Sequence, residues 1–137
     1  MKYLPLFLIL ILALSACQEP IDPNSCEDIV RSNRQFDKTD SDEFSLVSAE
    51  IRDDCLYATV QHGGGCGGAD FDLIASEGET LSSPPQISMR LVLDNRDMCL
   101  ALITAEYGFD LQSIQREGGG TVIFNLEGLS ESLEYTY

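Results

Sequence analysis

The stretch Cys55-Leu-Tyr-Ala-Thr-Val-Gln-His-Gly-Gly-Gly-Cys66 decides the fold. Its apolar side chains alternate with other side chains, so that Leu56, Ala58 and Val60 share one face. A period of two is typical of a half-buried β-strand, because successive side chains of a strand point to opposite faces. The glycines at 63–65 then indicate a turn where the strand ends. The stretch therefore predicts a strand that runs into a wide glycine loop.

The same alternation recurs on both sides of this stretch. Further runs with a shared apolar face begin at Phe44, Phe71, Ile87, Val122 and Leu133. Turn-forming residues separate the runs, at Asp53-Asp54, 78–85, Asp94-Asn95, 118–120 and Gly128. About seven short strands with such punctuation predict an all-β fold, an immunoglobulin-like antiparallel β-sandwich.

Residues 97–106 fit two structures. They contain good helix formers behind a capping aspartate, Asp97, which favours a helix. They also alternate with a period of two, and we favour a strand because the neighbouring runs are strands of similar length. In that strand we expect an inward face made of Met98, Leu100, Leu102 and Thr104. We expect residues 107–114 to turn a corner across the sandwich.

The N-terminus has the pattern of an export signal. Lys2 gives it a positive start, an apolar run extends from Leu6 to Leu14, and the small residues Ser15 and Ala16 follow. The run is too short for a permanent transmembrane helix, which needs about 20 apolar residues. We therefore divide the chain into a signal peptide (residues 1–16), a polar tether (residues 17–43) and a β-sandwich domain (residues 44–137).

The charge of the chain excludes two kinds of partner. Without residues 1–16, seven basic and 23 acidic residues give a net charge of −16. Nucleic acid is a poor partner for such a surface, because phosphate binding depends on clustered lysine and arginine. Electrostatic attachment to anionic lipid is excluded for the same reason. We therefore expect no nucleic-acid partner, and we expect any membrane contact to be made by a covalent lipid.

Four cysteines follow residue 17, and an even number in an exported chain indicates two disulfides. Consecutive strands run in opposite directions, so Cys55 lies at one end of the sandwich, and Cys66 and Cys99 lie at the other. A whole strand separates Cys55 from Cys66, well beyond the ~7 Å limit between Cα atoms in a disulfide. We therefore predict the pairs Cys66–Cys99 and Cys26–Cys55.

The string His62-Gly-Gly-Gly resembles the oxyanion loop of lipases and esterases, but the rest of that site is missing. There is no Gly-x-Ser-x-Gly elbow, and the only histidine is His62, which leaves no base. A Walker-type phosphate loop would need a lysine that does not follow these glycines. Two interpretations stay open: a nest of backbone amides that binds a small anion or a carboxylate, and a plain loop beside a disulfide.

Metal sites are not indicated either. A zinc site would need nearly all of the thiols in an oxidising compartment. The acidic set Asp37, Asp40, Asp42 and Glu43 lacks the glycine and the distal glutamate of a calcium-binding EF-hand loop. We predict no catalytic residue, no metal and no cofactor.

The sequence Leu14-Ser-Ala-Cys17 resembles the lipobox of bacterial lipoproteins. The resemblance implies cleavage before Cys17 and attachment of a diacylglycerol to its thiol. Gln18 in place of aspartate after the anchor implies transfer to the outer membrane in such lipoproteins. We therefore expect a protein of the bacterial cell envelope, on either the periplasmic or the surface face.

The domain itself resembles small bacterial lipoproteins of unknown function that share a Gly-Gly-Cys turn. The resemblance covers residues 45–137 and rests on the opening stretch together with 70–73, 98–103 and 109–111. Other members have a histidine shortly after the Gly-Gly-Cys, whereas this chain has Gly68 and Ala69 there. No role of that histidine is therefore transferred to this chain, and the resemblance implies a fold without an activity.

These observations favour a non-catalytic, lipid-anchored envelope protein that binds a partner protein or supports an envelope assembly. The first alternative is a small-ligand or glycan-binding module with an aromatic platform formed by Tyr57, Tyr107, Tyr135 or Tyr137. The second alternative is a carboxylate-based hydrolase, which would need two close carboxylates with raised pKa values in one pocket.

Overall fold

The computed structural model describes residues 26–137, which form two packed β-sheets. The nine strands in this range are β1 (Glu27–Asp28), β2 (Val30–Arg31), β3 (Phe44–Arg52), β4 (Cys55–Gly64), β5 (Ala69–Ala75), β6 (Gln86–Asn95), β7 (Ala101–Asp110), β8 (Thr121–Leu126) and β9 (Leu133–Thr136). One helix, α1 (Asn33–Lys38), and a 3₁₀ turn, Gln112–Ile114, complete it. The first sheet has the order β1-β7-β4-β3 and the second β2-β5-β6-β8-β9. Residues 1–25, with the predicted signal peptide and Cys17, lie outside the described residues.

The predicted all-β sandwich is confirmed, and its core follows the alternation of the sequence. On β4, Leu56, Ala58 and Val60 are fully buried, while the side chains between them are only partly covered. The inner face of the second sheet is built in the same way. Its buried side chains are Phe71, Leu73, Ile87, Met89, Leu91, Leu93, Val122, Phe124 and Leu126. Two such apolar faces packed together form the core of a sandwich.

The sheets are mixed, which corrects the prediction of a purely antiparallel sandwich. Strands β6 and β8 pair in parallel, because the chain crosses to the first sheet as β7 before it returns as β8. The two short N-terminal strands also pair in parallel, β1 with β7 and β2 with β5. The remaining four pairings are antiparallel. Alternation within a strand predicts its faces and leaves the direction of its neighbour undetermined.

Residues 26–43 belong to the folded domain, although the sequence placed them in the tether. Strand β1 lies beside the end of β7, and β2 lies beside the end of β5, so this segment bridges the two sheets. Helix α1 follows, and the hydroxyl of Ser32 caps its start by accepting a hydrogen bond from the backbone N–H of Gln35 (3.3 Å). Backbone pairing with existing strand edges orders a segment that has few apolar side chains of its own.

Residues 41 and 42 close an open edge of β6. Strand β8 pairs with β6 only along 86–89, which leaves residues 90–95 of β6 without a neighbouring strand on that side. The hydroxyl of Ser41 accepts from the N–H of Leu93 (3.0 Å), and a carboxylate oxygen of Asp42 accepts from the N–H of Asn95 (2.7 Å). The side chains of Ser41 and Asp42 thus provide hydrogen-bond acceptors for two N–H groups at the edge of the sheet that no strand pairs with.

Strand β7 is a strand as predicted, but its faces are opposite to the prediction. Met98, Leu100 and Leu102 are 92%, 100% and 73% exposed, so the expected inward face is wrong. In the register with β4, Ile103 lies opposite His62, which is buried, and Ile103 therefore faces the core. The expected corner at 107–114 is also displaced, since β7 continues to Asp110 and the 3₁₀ turn follows it.

Both disulfides have the predicted pairing. Cys26 is bonded to Cys55 with 6.2 Å between their Cα atoms, and Cys66 is bonded to Cys99 with 5.8 Å. The first disulfide attaches the N-terminal segment to the base of the first sheet. The second attaches the glycine loop to the loop before β7.

Tyr135 connects the two sheets through a hydroxyl that is buried with its ring (1% exposed). The hydroxyl donates to a carboxylate oxygen of Asp54 (2.7 Å) and accepts from the side-chain amide of Gln115 (2.6 Å). Burial, above all, raises the pKa of Tyr135 from 10.0 to about 12. A buried hydroxyl with two partners contributes to stability because its removal leaves both partners unsatisfied.

We expect Tyr135→Phe to lower the free energy of unfolding by about 1–3 kcal/mol in denaturant titrations near neutral pH. Because the pKa of Tyr135 is higher in the folded than in the unfolded state, its contribution is complete below pH 10. It is lost as the pH rises towards 12. The difference between wild type and variant should therefore shrink over this range. Tyr57→Phe, on the outer face of the first sheet, serves as the control, and an equal loss there would contradict the assignment.

Candidate functional site

The glycine loop between β4 and β5 forms one end of the sandwich. Gly64, Gly65, Gly67 and Gly68 all have positive φ, from +83° to +145°, a range that side chains with a Cβ disfavour. A Cβ at Gly64 would also lie 2.8 Å from a carboxylate oxygen of Asp97. The run of glycines is therefore required by the backbone path and by the close approach of that carboxylate.

Asp97 occupies the nest of backbone amides that the glycine loop forms. One of its carboxylate oxygens accepts from the N–H of Cys66, and the other accepts from the N–H of Cys99, both at 2.8 Å. These two bonds, with weaker ones from Gly65 and Gly67, hold the pKa of Asp97 below its usual value. Of the two interpretations left open by the sequence, the loop does form a nest of amides, but the carboxylate that it holds belongs to the same chain. The spacing Asp97-x-Cys99 is the sequence signal for it, since aspartate favours bonds to the amide two residues on.

We expect Asp97→Ala to release the glycine loop while the sandwich stays folded. The amides of Cys66 and Cys99 should exchange with solvent about tenfold faster, as each loses its acceptor. In the wild type, the slow exchange should persist as the pH falls to the ordinary aspartate pKa and disappear only below it. Asp94→Ala is the matched control, because its exposed carboxylate pairs with the exposed Arg96 (3.5 Å) and accepts no hydrogen bond from Cys66 or Cys99 among the described residues. Unchanged exchange in Asp97→Ala would contradict this role.

His62 lies under the glycine loop and is 5% exposed. One ring nitrogen is 2.8 Å from the carbonyl of Gly63, so Nδ1–H donates there and Nε2 accepts from the hydroxyl of Tyr107 (3.4 Å). The ring also packs edge-on against Phe71, with 5.6 Å between centroids. A cavity of about 280 Å³ adjoins it, whose lining holds no serine, threonine or free thiol. The surroundings of His62 therefore suit a structural side chain and hold no nucleophile for it to activate.

One group of three potential metal ligands occurs in the described part of the chain: Cys66, Asp97 and Cys99. Both sulfur atoms are bonded to each other, and the carboxylate accepts from backbone amides, so none of the three offers an open ligand position. The acidic set considered for calcium does not converge. Asp40 and Asp42 instead line an open groove of about 440 Å³ with Asp72 and Asp94.

The four tyrosines proposed as a glycan platform do not share one exposed surface, and Tyr137 packs against Tyr135 with 5.3 Å between ring centroids. Tyr135 is buried in the core, and Tyr107 packs inward on Phe71 with 4.6 Å between ring centroids. Tyr57 lies on the outer face of the first sheet beneath the guanidinium of Arg52, which is 3.6 Å from its ring centroid. The geometry does not assemble a row of exposed rings from these residues.

The prominent feature of this end is an apolar stripe formed by Met98, Leu100 and Leu102. All three side chains are largely exposed. Met98 and Leu100 lie on the loop that precedes β7, and Leu102 is the second residue of the strand. Across the sheet, Leu102 lies opposite Gly63, which has no side chain to cover it. The disulfide at Cys99 and the bonds of Asp97 fix the loop that carries the stripe. Large exposed apolar side chains at alternate positions of one ordered segment are typical of an interaction surface.

No protein-family model matches the chain, and no curated protein matches it in sequence. Its structure is similar to that of a NigD-like immunity protein from Bacteroides caccae, with a TM-score of 0.58 and 15% identity over 81% of this chain and 64% of that one. It is also similar to a protein of unknown function (DUF1344) from Bacteroides vulgatus, with a TM-score of 0.51 and 15% identity over 82% of this chain and 56% of that one. This chain thus spans less than two thirds of either structure, and the likeness shows a shared fold.

Among the described residues, no helix is long and apolar enough to cross a membrane.

Proposed function

We propose that this chain is a lipid-anchored protein of the bacterial cell envelope that binds a protein partner through the apolar stripe and catalyses no reaction. The observation that carries the proposal is the exposure of Met98 and Leu100 on a loop fixed by a disulfide, and of Leu102 at the start of β7. Burial of apolar surface drives most protein association. A surface that is already ordered loses little conformational entropy when its partner binds.

The cysteines support the cellular setting of this proposal. Two disulfides form and persist in an oxidising compartment, such as the periplasm or the cell surface. The lipobox-like Leu14-Ser-Ala-Cys17 would supply the anchor, and Gln18 would direct the protein to the outer membrane. Two or three acyl chains hold a protein at a bilayer where a single chain would not.

The absence of a catalytic set in the described residues also favours binding over catalysis. The one histidine is buried against Phe71 and Tyr107, with no nucleophile lining its cavity. A structural neighbour is named an immunity protein, and a non-catalytic role for this chain agrees with that name. The alternative of a glycan-binding module gains no support from the positions of the tyrosines. The groove that holds Asp40, Asp42, Asp72 and Asp94 is open, and the carboxylates of Asp42 and Asp94 are held by the backbone of Asn95 and by Arg96, which favours a structural role over a hydrolase site.

We expect the triple variant M98S/L100S/L102S to lose its partner. The tagged, lipidated full-length chain is crosslinked in its native envelope and recovered, and its partner is quantified by mass spectrometry. Recovery should fall at least about tenfold, since burial of even one large apolar side chain is worth about 1.5–3 kcal/mol. The control is L81S, which removes a fully exposed leucine from the distant 78–85 loop. Equal recovery in both variants would refute the stripe as the binding surface.

We expect Cys17→Ala to move the protein from the membrane fraction to the soluble fraction of the envelope. The same variant should no longer incorporate labelled palmitate. Wild-type protein should sediment with outer-membrane markers in a density gradient, and Gln18→Asp should shift it to the inner membrane. Membrane retention of Cys17→Ala would refute the lipid anchor and would leave the binding proposal to be judged by the stripe variant.

A further inference from the structure

We propose that the partner binds by β-strand addition to the free edge of β7, through an extended segment that alternates basic and apolar residues. The proposal rests on the proposed function and names its docking geometry and the chemistry of its partner. Free edge here means the side of Ala101–Gly108 that faces away from β4.

The sheet order leaves this edge open. Strand β7 pairs with β4 along its whole length, but on its other side β1 pairs only with Phe109 and Asp110. In the structure from residue 26 onward, no other backbone pairs with Ala101–Gly108 on that side. Alternate residues of a strand direct their N–H and C=O groups to each side, so this stretch presents a row of unpaired donors and acceptors.

The edge also lacks the features that prevent strand addition. The opposite edge of the same sheet, β3, has a register irregularity between Leu46 and Ser48 that places the exposed Val47 at a bulge. Strand β7 keeps a continuous register with β4, and Ala101–Gly108 contains no proline, lysine or arginine. Bulges, prolines and edge lysines are the usual protection against a further strand. One edge of the sheet is therefore protected, and the other is open.

The apolar stripe adjoins this edge. Leu102 is on β7 itself, and Leu100 and Met98 extend the line of exposed side chains beyond the start of the strand. In strand addition, main-chain hydrogen bonds supply affinity, and contacts with alternate side chains supply specificity. A strand added at β7 would cover the stripe with every second side chain.

The charges around the edge select a basic segment. The charged residues of β7 and β1 are all acidic: Glu106, Asp110, Glu27 and Asp28. The pKa of Tyr107 is raised mainly by burial, and the nearby charges of Asp70 and Glu27 raise it further, in agreement with the acidic character of this strand. Opposite charges on neighbouring strands attract, and like charges repel, so lysine or arginine fits beside Glu106.

Two other occupants fit this edge less well. The residues before β1 could continue its parallel pairing along β7. Alternate residues of a strand direct their N–H groups to opposite sides, and Pro20 and Pro23 are an odd number of residues apart. One of these two prolines would therefore face β7 without an N–H group and interrupt the pairing. Glu19 and Asp22 in that segment would meet an acidic edge. A second copy of the chain would bring two acidic edges together. A basic partner segment meets neither obstacle.

The test uses a photoreactive benzophenone amino acid in the full-length, lipidated chain in its native envelope. It is placed at Thr104 on the free edge, at Ser48 on the protected edge, or at Leu100 in the stripe. We expect Thr104 and Leu100 to crosslink to one protein and Ser48 to give no product. The crosslinked peptide should alternate basic and apolar residues. In the purified complex, amides of Ala101–Gly108 that face away from β4 should become protected from hydrogen exchange.

A charge-reversal pair tests the chemistry of the partner. Glu50 and Glu106 both contact Arg52 on the outer face, but only Glu106 adjoins the free edge. We expect E106K to lower the crosslinking yield through Thr104 by about fivefold, as one favourable cross-strand charge pair becomes unfavourable. E50K, which perturbs the same arginine, should leave the yield unchanged.

Each other outcome overturns the inference. A product of twice the chain mass would show that a second copy occupies the edge, and a crosslink to residues 18–25 would show self-occupancy. A partner that crosslinks through Leu100 but never through Thr104 would refute strand addition while the proposed function stands. The absence of a partner at all positions would refute both.

Discussion

The double variant C26S/C55S is expected to unfold with a free energy about 3–4 kcal/mol lower than that of the wild type in denaturant titrations. The two cysteines are 29 residues apart, and the crosslink removes the entropy of that loop from the unfolded chain. The native state is also destabilised, because this disulfide holds the start of the segment whose strands β1 and β2 pair with the two sheets. Strands β1 and β2 are only two residues each and depend on that attachment.

The matched control is C66S/C99S, which opens a loop of nearly equal size, 33 residues. Loop entropy alone predicts almost the same loss of global stability. Local effects should differ: only C26S/C55S should speed amide exchange at residues 27–31, and only C66S/C99S should speed exchange in the glycine loop. A loss below about 1 kcal/mol in C26S/C55S would show that the short strands hold the segment without the disulfide.

Phe109→Ala is expected to lower the free energy of unfolding by about 3–5 kcal/mol, the usual cost of deleting a buried aromatic ring. Phe109 is 1% exposed and lies opposite the fully buried Leu56 in the register of β7 with β4. Its ring fills the core near the point where β1 joins the first sheet. The loss combines the transfer free energy of the ring with the cavity that it leaves.

Leu102→Ala, on the same strand, is the control for this prediction. Leu102 is 73% exposed, and its truncation should change stability by less than about 0.5 kcal/mol. The pair of variants therefore measures which face of β7 points inward. A large loss at Leu102 together with a small loss at Phe109 would support the face expected from the sequence and contradict the structure.

The candidate site was only partly predictable from the sequence. The glycine loop and its disulfide follow from the residues themselves, and so does the idea that its amides form a nest for an anion. The identity of that anion does not follow, because Asp97 reaches the loop only when β6 is paired with β5 and β7 is paired with β4. From the sequence, Met98, Leu100 and Leu102 are predicted to face the core, because they are as apolar as a core face. They are exposed, because the register of β7 with the distant strand β4 sets which face points inward.

By itself the sequence determined roughly where the seven longer strands lie, that they form a sandwich, and which cysteines pair, because period-two alternation and turn residues are local properties that also fix the ends of strands. Only the tertiary structure decided the inward face of β7, the parallel pairing of β6 with β8 and the folding of residues 26–43. Each of these depends on a neighbouring strand far away in the chain. Leu102 is exposed because it meets Gly63 across the sheet, and Ile103 faces the core because it meets His62. A run that is apolar on both faces takes its orientation from the register of its partner strand.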